Sequence, residues 1–150
     1  MSRSARAIAP WLWLLLGLFC LRVLGQMLVV FAKVSFLPPM EEWQSGLLPY
    51  PVLLVSQFVI IALLSKVAAD FTRGGGYFAT PNARLAKGLV YFGWIYLLGM
   101  ALRYIIRMAL YHEARWFGGT IPIFFHWVLA SFILLVGYYH RKAFATGTHS

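Results

Sequence analysis

Arg103 and Arg107 stand four residues apart inside LAKGLVYFGWIYLLGMALRYIIRMALY, the apolar stretch that runs from Leu85 to Tyr111. On a helix that spacing puts both side chains on one face, about a turn from each other. An arginine inside hydrocarbon costs at least about 2.5 kcal/mol unless something answers its charge, so by default it points to a partner or a site. Arg22 raises the same question near the middle of the Trp11 to Phe31 stretch, with Gln26 one turn beyond it. None of the apolar stretches contains an acid. The charge must be answered by Glu113, Glu41 or Glu42 folding in from flanking segments, by a lipid phosphate, a quinone oxygen or a haem propionate, or by a carboxylate on a partner subunit. Arg107 lies nearer a surface and can snorkel to it.

Two further apolar stretches carry one candidate group each, Gln57 and His126. A bis-histidine haem would need a second imidazole facing the same iron, and His112 is the one other histidine expected near the outer ends of the spans. His112 falls outside the apolar stretch, which makes the pair a weak ligand set. Other chemistries lack their parts. Cys20 is the sole cysteine, so the chain has neither an internal disulfide nor a cysteine-based zinc cluster. His112-Glu113 has no second histidine four residues on, as a zinc-binding helix would require. Ser56 and Ser131 have no recognisable base and orienter. Gly74-Gly75-Gly76 could cradle a phosphate, but no Gly-Lys-Ser/Thr follows, and a flexible connector is the simpler expectation. The chain is therefore not expected to act as an autonomous enzyme, and no metal or cofactor is required by its residues.

The elements that must position these groups follow from composition. With 61% hydrophobic and 11% charged residues over 150 positions, the chain is too apolar for a soluble domain. It reads as an all-α, polytopic membrane protein. The formal charge of +9 does not point to nucleic acid, because the cations flank apolar stretches and no soluble domain presents a basic patch. Four spans are expected, at 11–31, 51–69, 88–110 and 121–139, each matching a hydrocarbon core of about 30 Å. The first is longer than a signal-peptide core and lacks a small-residue cleavage site, so it is expected to be a retained helix. Between the first two spans, Pro38-Pro39 before Glu41-Glu42, with Gly46 beyond, predicts a short interfacial helix carrying Trp43. Thr80-Pro81 predicts the cap and first position of the third helix, and Thr120 the cap of the fourth. The link between those two helices is short, which makes them antiparallel neighbours. Residues 140–150 read as a short polar tail.

Arg3, Arg6, Lys66, Arg73, Arg84, Lys87, Arg141 and Lys142 flank one side of these spans, against Lys33, Arg107 and Arg115 on the other. The positive-inside rule then puts both termini in the cytoplasm, and a bacterial inner membrane is the expected location. With span centres near Leu21, Ile60, Leu98 and Ala130, a rise of about 1.5 Å per residue places Gln26, Gln57, Arg103 and His126 about 4 to 8 Å towards the outer face. Each helix thus contributes a polar group to one layer. Read conservatively, the layer is internal glue. Read functionally, Arg22, Gln26, Gln57, Arg103, Arg107, His126 and Glu113 contact a ligand or a partner. The expected function is a non-catalytic accessory subunit or scaffold of a larger membrane complex, or a homo-oligomer, in contact with membrane lipids. The aromatic content of 17% suits such packing. The alternative is a small redox or ligand-binding protein that uses His126 and Arg103 to hold haem or a quinone.

Overall fold

A computed structural model of the chain describes residues 2–37, 39, 48–111 and 120–147. The described residues form four α-helices and no strand: α1 (Ser2–Ala32), α2 (Tyr50–Arg73), α3 (Ala83–Leu110) and α4 (Thr120–Gly147). All four are long and apolar enough to cross a membrane, as expected of a polytopic protein. The expected interfacial helix around Trp43, and the segment holding His112 and Glu113, lie outside the described residues.

The helices stand in the order α2, α1, α4, α3, each packed against its neighbours in that row. Cross-links at one end show that they alternate in direction. The Arg6 guanidinium donates to the Arg73 carbonyl (3.2 Å) and Trp13 Nε1 to Thr72 Oγ1 (2.9 Å), joining the start of α1 to the end of α2. The Asn82 N–H donates to His140 Nδ1 (3.2 Å) and the Tyr139 hydroxyl to the Ala79 carbonyl (2.8 Å), joining the start of α3 to the end of α4. This terminal end therefore carries the eight cations that flank one side of the spans.

The stretch holding Arg103 and Arg107 does not lie at the centre of the bundle. α3 closes one end of the row, and among its residues only Ala86 and Gly93 are buried. The centre belongs to α1, where Ala5, Ala9, Leu12, Leu16, Phe19, Val23 and Gln26 are all buried. Their alternating spacing of four and three is the seam of a helix packed at a shallow angle on its neighbours. With Leu64, Val67, Ala68 and Phe71 of α2 and Phe132, Val136 and Tyr139 of α4, the first part of this seam, Ala5, Ala9, Leu12 and Leu16, forms an apolar core in the terminal half of the bundle. α3 is held to α4 by close backbone approach. A Cβ on Gly93 would lie 2.7 Å from Leu134 Cδ2, and one on Gly137 would lie 3.0 Å from the Val90 backbone nitrogen. Small residues that let backbones meet are a main source of helix association where lipid removes the hydrophobic driving force.

Three local expectations are corrected. The triple glycine is a fixed turn rather than a flexible connector. Gly74 caps α2 in the left-handed conformation (φ 71°, ψ 24°), which costs glycine little. Gly76 has φ 110°, and a Cβ there would sit 2.6 Å from Asp70 Cγ. The third helix is capped by Asn82, not Thr80: the Asn82 side-chain oxygen accepts from the Arg84 and Leu85 N–H groups (2.9 and 3.3 Å), while the Thr80 hydroxyl is spent on the Gly76 carbonyl. Finally, α4 continues to Gly147 through most of the expected polar tail, because Tyr139 and His140 are buried against Phe71 and the α2–α3 turn.

Candidate functional site

Beyond the apolar core the same helices face each other with polar groups. Gln57 Nε2 of α2 donates to Gln26 Oε1 of α1 at 2.8 Å, and the two residues are only 2% and 0% exposed. Gln26 occupies the last buried position of the α1 seam, so its amide is aimed into the bundle by the packing that buries Leu16, Phe19 and Val23. One turn earlier, Arg22 is buried as well and lays its guanidinium over Phe125 of α4, with Cζ 5.5 Å from the ring centroid. The aromatic face supplies part of the answer to this cation, at a distance typical of cation–π attraction.

The α3–α4 side of the layer centres on His126. Its Nδ1 is hydrogen-bonded to the Tyr96 hydroxyl, and the two rings meet edge to face with centroids 5.6 Å apart. Phe92, one turn before Tyr96, stacks on the tyrosine at 5.8 Å. Arg22 lies over Phe125, the residue before His126. Arg103 is half-buried on α3, two turns beyond Tyr96 on the same face. Asp70 is the only acid among the described residues, and its ion pair with Lys66 lies at the opposite end of the bundle. Arg107 is also half-buried, with its Nε out of solvent and without a hydrogen-bond partner among the described residues. Nearby on the same interface, Tyr104 and Trp127 pack edge to face at 6.0 Å.

Of the residues singled out from the sequence, Gln26 and Gln57 meet directly. Arg22 lies over Phe125, next to His126, while Arg103 stands on α3 two turns beyond Tyr96, the partner of His126, and Arg107 lies a turn further along that helix. Glu113 and His112 lie outside the described residues. Tyr96 is the member that the sequence reading misses. Its signal was available, because it stands seven residues before Arg103 and so faces the same way, but a tyrosine in so aromatic a chain does not stand out. The layer offers hydrogen-bond donors, an aromatic hydroxyl, an imidazole and two cations. Such a set can grip a carboxylate, a phosphate or a carbonyl oxygen. The Ser56 hydroxyl is turned back onto the Leu53 carbonyl of its own helix at 2.7 Å, so it does not face the layer as a nucleophile. No group of three or more metal-ligating side chains occurs among the described residues.

A second polar cluster, at the terminal end, was not foreseen. The buried Asp70 carboxylate takes hydrogen bonds from Lys66 and from the Phe78 N–H (3.3 Å), while its backbone carbonyl accepts from the Gly75 N–H (3.2 Å). His140 is fully buried against Phe71 at the same end, accepting at Nδ1 from the Asn82 N–H. This cluster shapes the α2–α3 turn and belongs to the architecture. Compared with protein-family models, with curated proteins and with solved structures, the chain shows no match.

Proposed function

We propose that this chain is a non-catalytic integral membrane subunit, or scaffold, of a larger membrane complex. In this reading the outer polar layer and the exposed side of α3 face a partner subunit, a second copy, a lipid or a cofactor. The observation that carries the reading is the position of Arg103 and Arg107. Both stand on the end helix of an open row rather than inside a closed bundle, and no described carboxylate lies at their end. A partner acid or phosphate that supplies the missing negative charge would lower the cost of holding two guanidinium groups within the span. The excess of cations at the terminal end supports cytoplasmic termini in a bacterial inner membrane. The short interfacial helix around Trp43 would then lie on the outer surface, together with Glu41, Glu42 and Glu113.

The test is the mass of the assembly. Protein extracted with its surrounding membrane in polymer discs should run well above one chain, and Arg103→Leu should shift it to the single-chain mass while still inserting. A wild-type protein that is monomeric by multi-angle scattering, with Arg103→Leu identical to it, would overturn the proposal. A second reading rests on the Tyr96–His126 hydrogen bond with Arg22 over the adjacent Phe125 and Arg103 on the Tyr96 face of α3, which suits an acidic or carbonyl-bearing ligand such as haem or a quinone. An absorption spectrum and solvent extraction of the purified protein distinguish this reading from the first.

A further inference from the structure

At the terminal end, α3 and α4 enclose a groove of about 440 Å³ that none of the polar clusters uses. Ala86, Lys87, Val90 and Tyr91 of α3 line one wall, and Arg141 and Phe144 of α4 the other. The volume falls within the usual range for small-molecule sites, about 300 to 1,000 Å³. Lys87 and Arg141 are both exposed, and the one acid among the described residues is already paired with Lys66. The groove thus presents two cations at the level where both apolar helices reach the membrane surface.

What lies beyond the groove identifies the occupant. Lys87 is followed at helical spacing by Tyr91, Ile95, Leu98 and Leu102, four strongly exposed side chains that form one stripe along α3. From Tyr91 to Leu102 that stripe is about 16 Å long, close to half of a hydrocarbon core of about 30 Å. A free anion would use the cations and leave the stripe idle. We infer that the groove binds the headgroup of an anionic phospholipid, its phosphate between Lys87 and Arg141 and an acyl chain along Tyr91, Ile95, Leu98 and Leu102. Tyr91 and Phe144 supply ring surface where headgroup and chain join, the level that aromatic side chains favour in membranes. This assignment does not depend on the subunit reading above, because it concerns the opposite end of the bundle from Arg103.

The test is native mass spectrometry of the full-length protein in detergent, titrated with phosphatidylglycerol or with phosphatidylcholine of the same chains. The wild type should hold one phosphatidylglycerol in preference to phosphatidylcholine. Lys87→Gln combined with Arg141→Gln should weaken phosphatidylglycerol binding about 30-fold, equivalent to about 2 kcal/mol for two surface cations. Phosphatidylcholine binding should stay as it was. Lys87→Arg with Arg141→Lys should keep the preference, and so should Arg3→Gln with Lys142→Gln, which removes the same charge elsewhere at that end. The inference fails if the two lipids bind alike, or if the Arg3 and Lys142 variant loses as much as the groove variant. It also fails if millimolar inorganic phosphate displaces the lipid, which would make the groove a site for a free anion.

Discussion

Replacing Gln26 by leucine should loosen the bundle more than replacing Gln57, although the two amides share one hydrogen bond. Gln26 has a further interaction besides the bond it accepts from Gln57. Gln57 has none among the described residues, and its Oε1 is already buried without a partner. Gln57→Leu therefore removes one interhelical bond while Gln26 keeps its further interaction, a loss of about 1 kcal/mol on the scale of such bonds in membranes. Gln26→Leu removes the same bond but strands the whole Gln57 amide, and an unsatisfied buried amide adds about 1 to 3 kcal/mol. The double leucine variant closes the α1–α2 contact with apolar surface of similar shape, so it should be close to neutral. The coupling between the two sites would then cancel most of the sum of the single losses. Reversible unfolding in mixed micelles of increasing dodecyl sulfate fraction, followed by helix content, measures all four proteins. Additive losses, or a larger loss for Gln57→Leu, would refute the assignment of this pair as the α1–α2 lock.

The same unfolding assay tests the close approach of α3 and α4: Gly137→Ala should cost about 1 to 3 kcal/mol, because its Cβ meets the Val90 backbone rather than a movable side chain. Gly88→Ala, with nothing within 4 Å of its Cβ, should be neutral or stabilise by up to about 1 kcal/mol. In the turn after α2, Gly76→Ala should lose at least about 1 to 2 kcal/mol from backbone conformation alone, with the Asp70 clash added, whereas Gly75→Ala should lose almost nothing. Equal effects at Gly75 and Gly76 would mean that the turn is not held as described. A reporter fused after His149 should be active only in its cytoplasmic form, and periplasmic activity would reverse the proposed topology.

What could be read from the sequence divides along a physical line. The four apolar helices and their alternation follow from length and hydropathy, which act locally. Counting depth along each helix also brings Gln26 and Gln57 to one level, because helical rise is nearly constant. Which face of each helix turns inward was not legible by hydrophobicity, since every face of α1 is apolar. The clue lay in side-chain size and polarity: Ala5, Ala9 and Gln26 keep the same seam as the large residues between them. The charge on α3 likewise does not state where that helix stands. The cost of a buried guanidinium states that a partner is needed, but it does not say which helix lies in the middle. That is decided by where backbones can meet, at Gly93 and Gly137. The triple glycine misled because its composition is that of a flexible linker, whereas its conformation is set by Asp70, which reaches back onto the Phe78 N–H.

These contacts divide the bundle into halves that answer to different forces. In the terminal half, Leu12, Leu16, Leu64, Phe71, Phe132 and Val136 interlock, and the turn bonds of Asp70, Asn82 and Tyr139 tie the helix ends together. In the other half, the contacts across helices include a pair of amides, a guanidinium over a ring, a tyrosine on a histidine and a tyrosine on a tryptophan. Lipid does not compete for polar groups as water does, so an incoming carboxylate or carbonyl can replace such a contact at little net cost, whereas an interlocked apolar core has no comparable exchange. Exchange of contacts between helices is therefore easier in the half that holds the polar layer than in the terminal half. Gly93 lies between the two regions on α3, a turn before Tyr96. The position of α3 against α4 at that glycine determines whether Tyr96 reaches His126, so a bulkier residue there should disturb the layer without touching any of its polar groups.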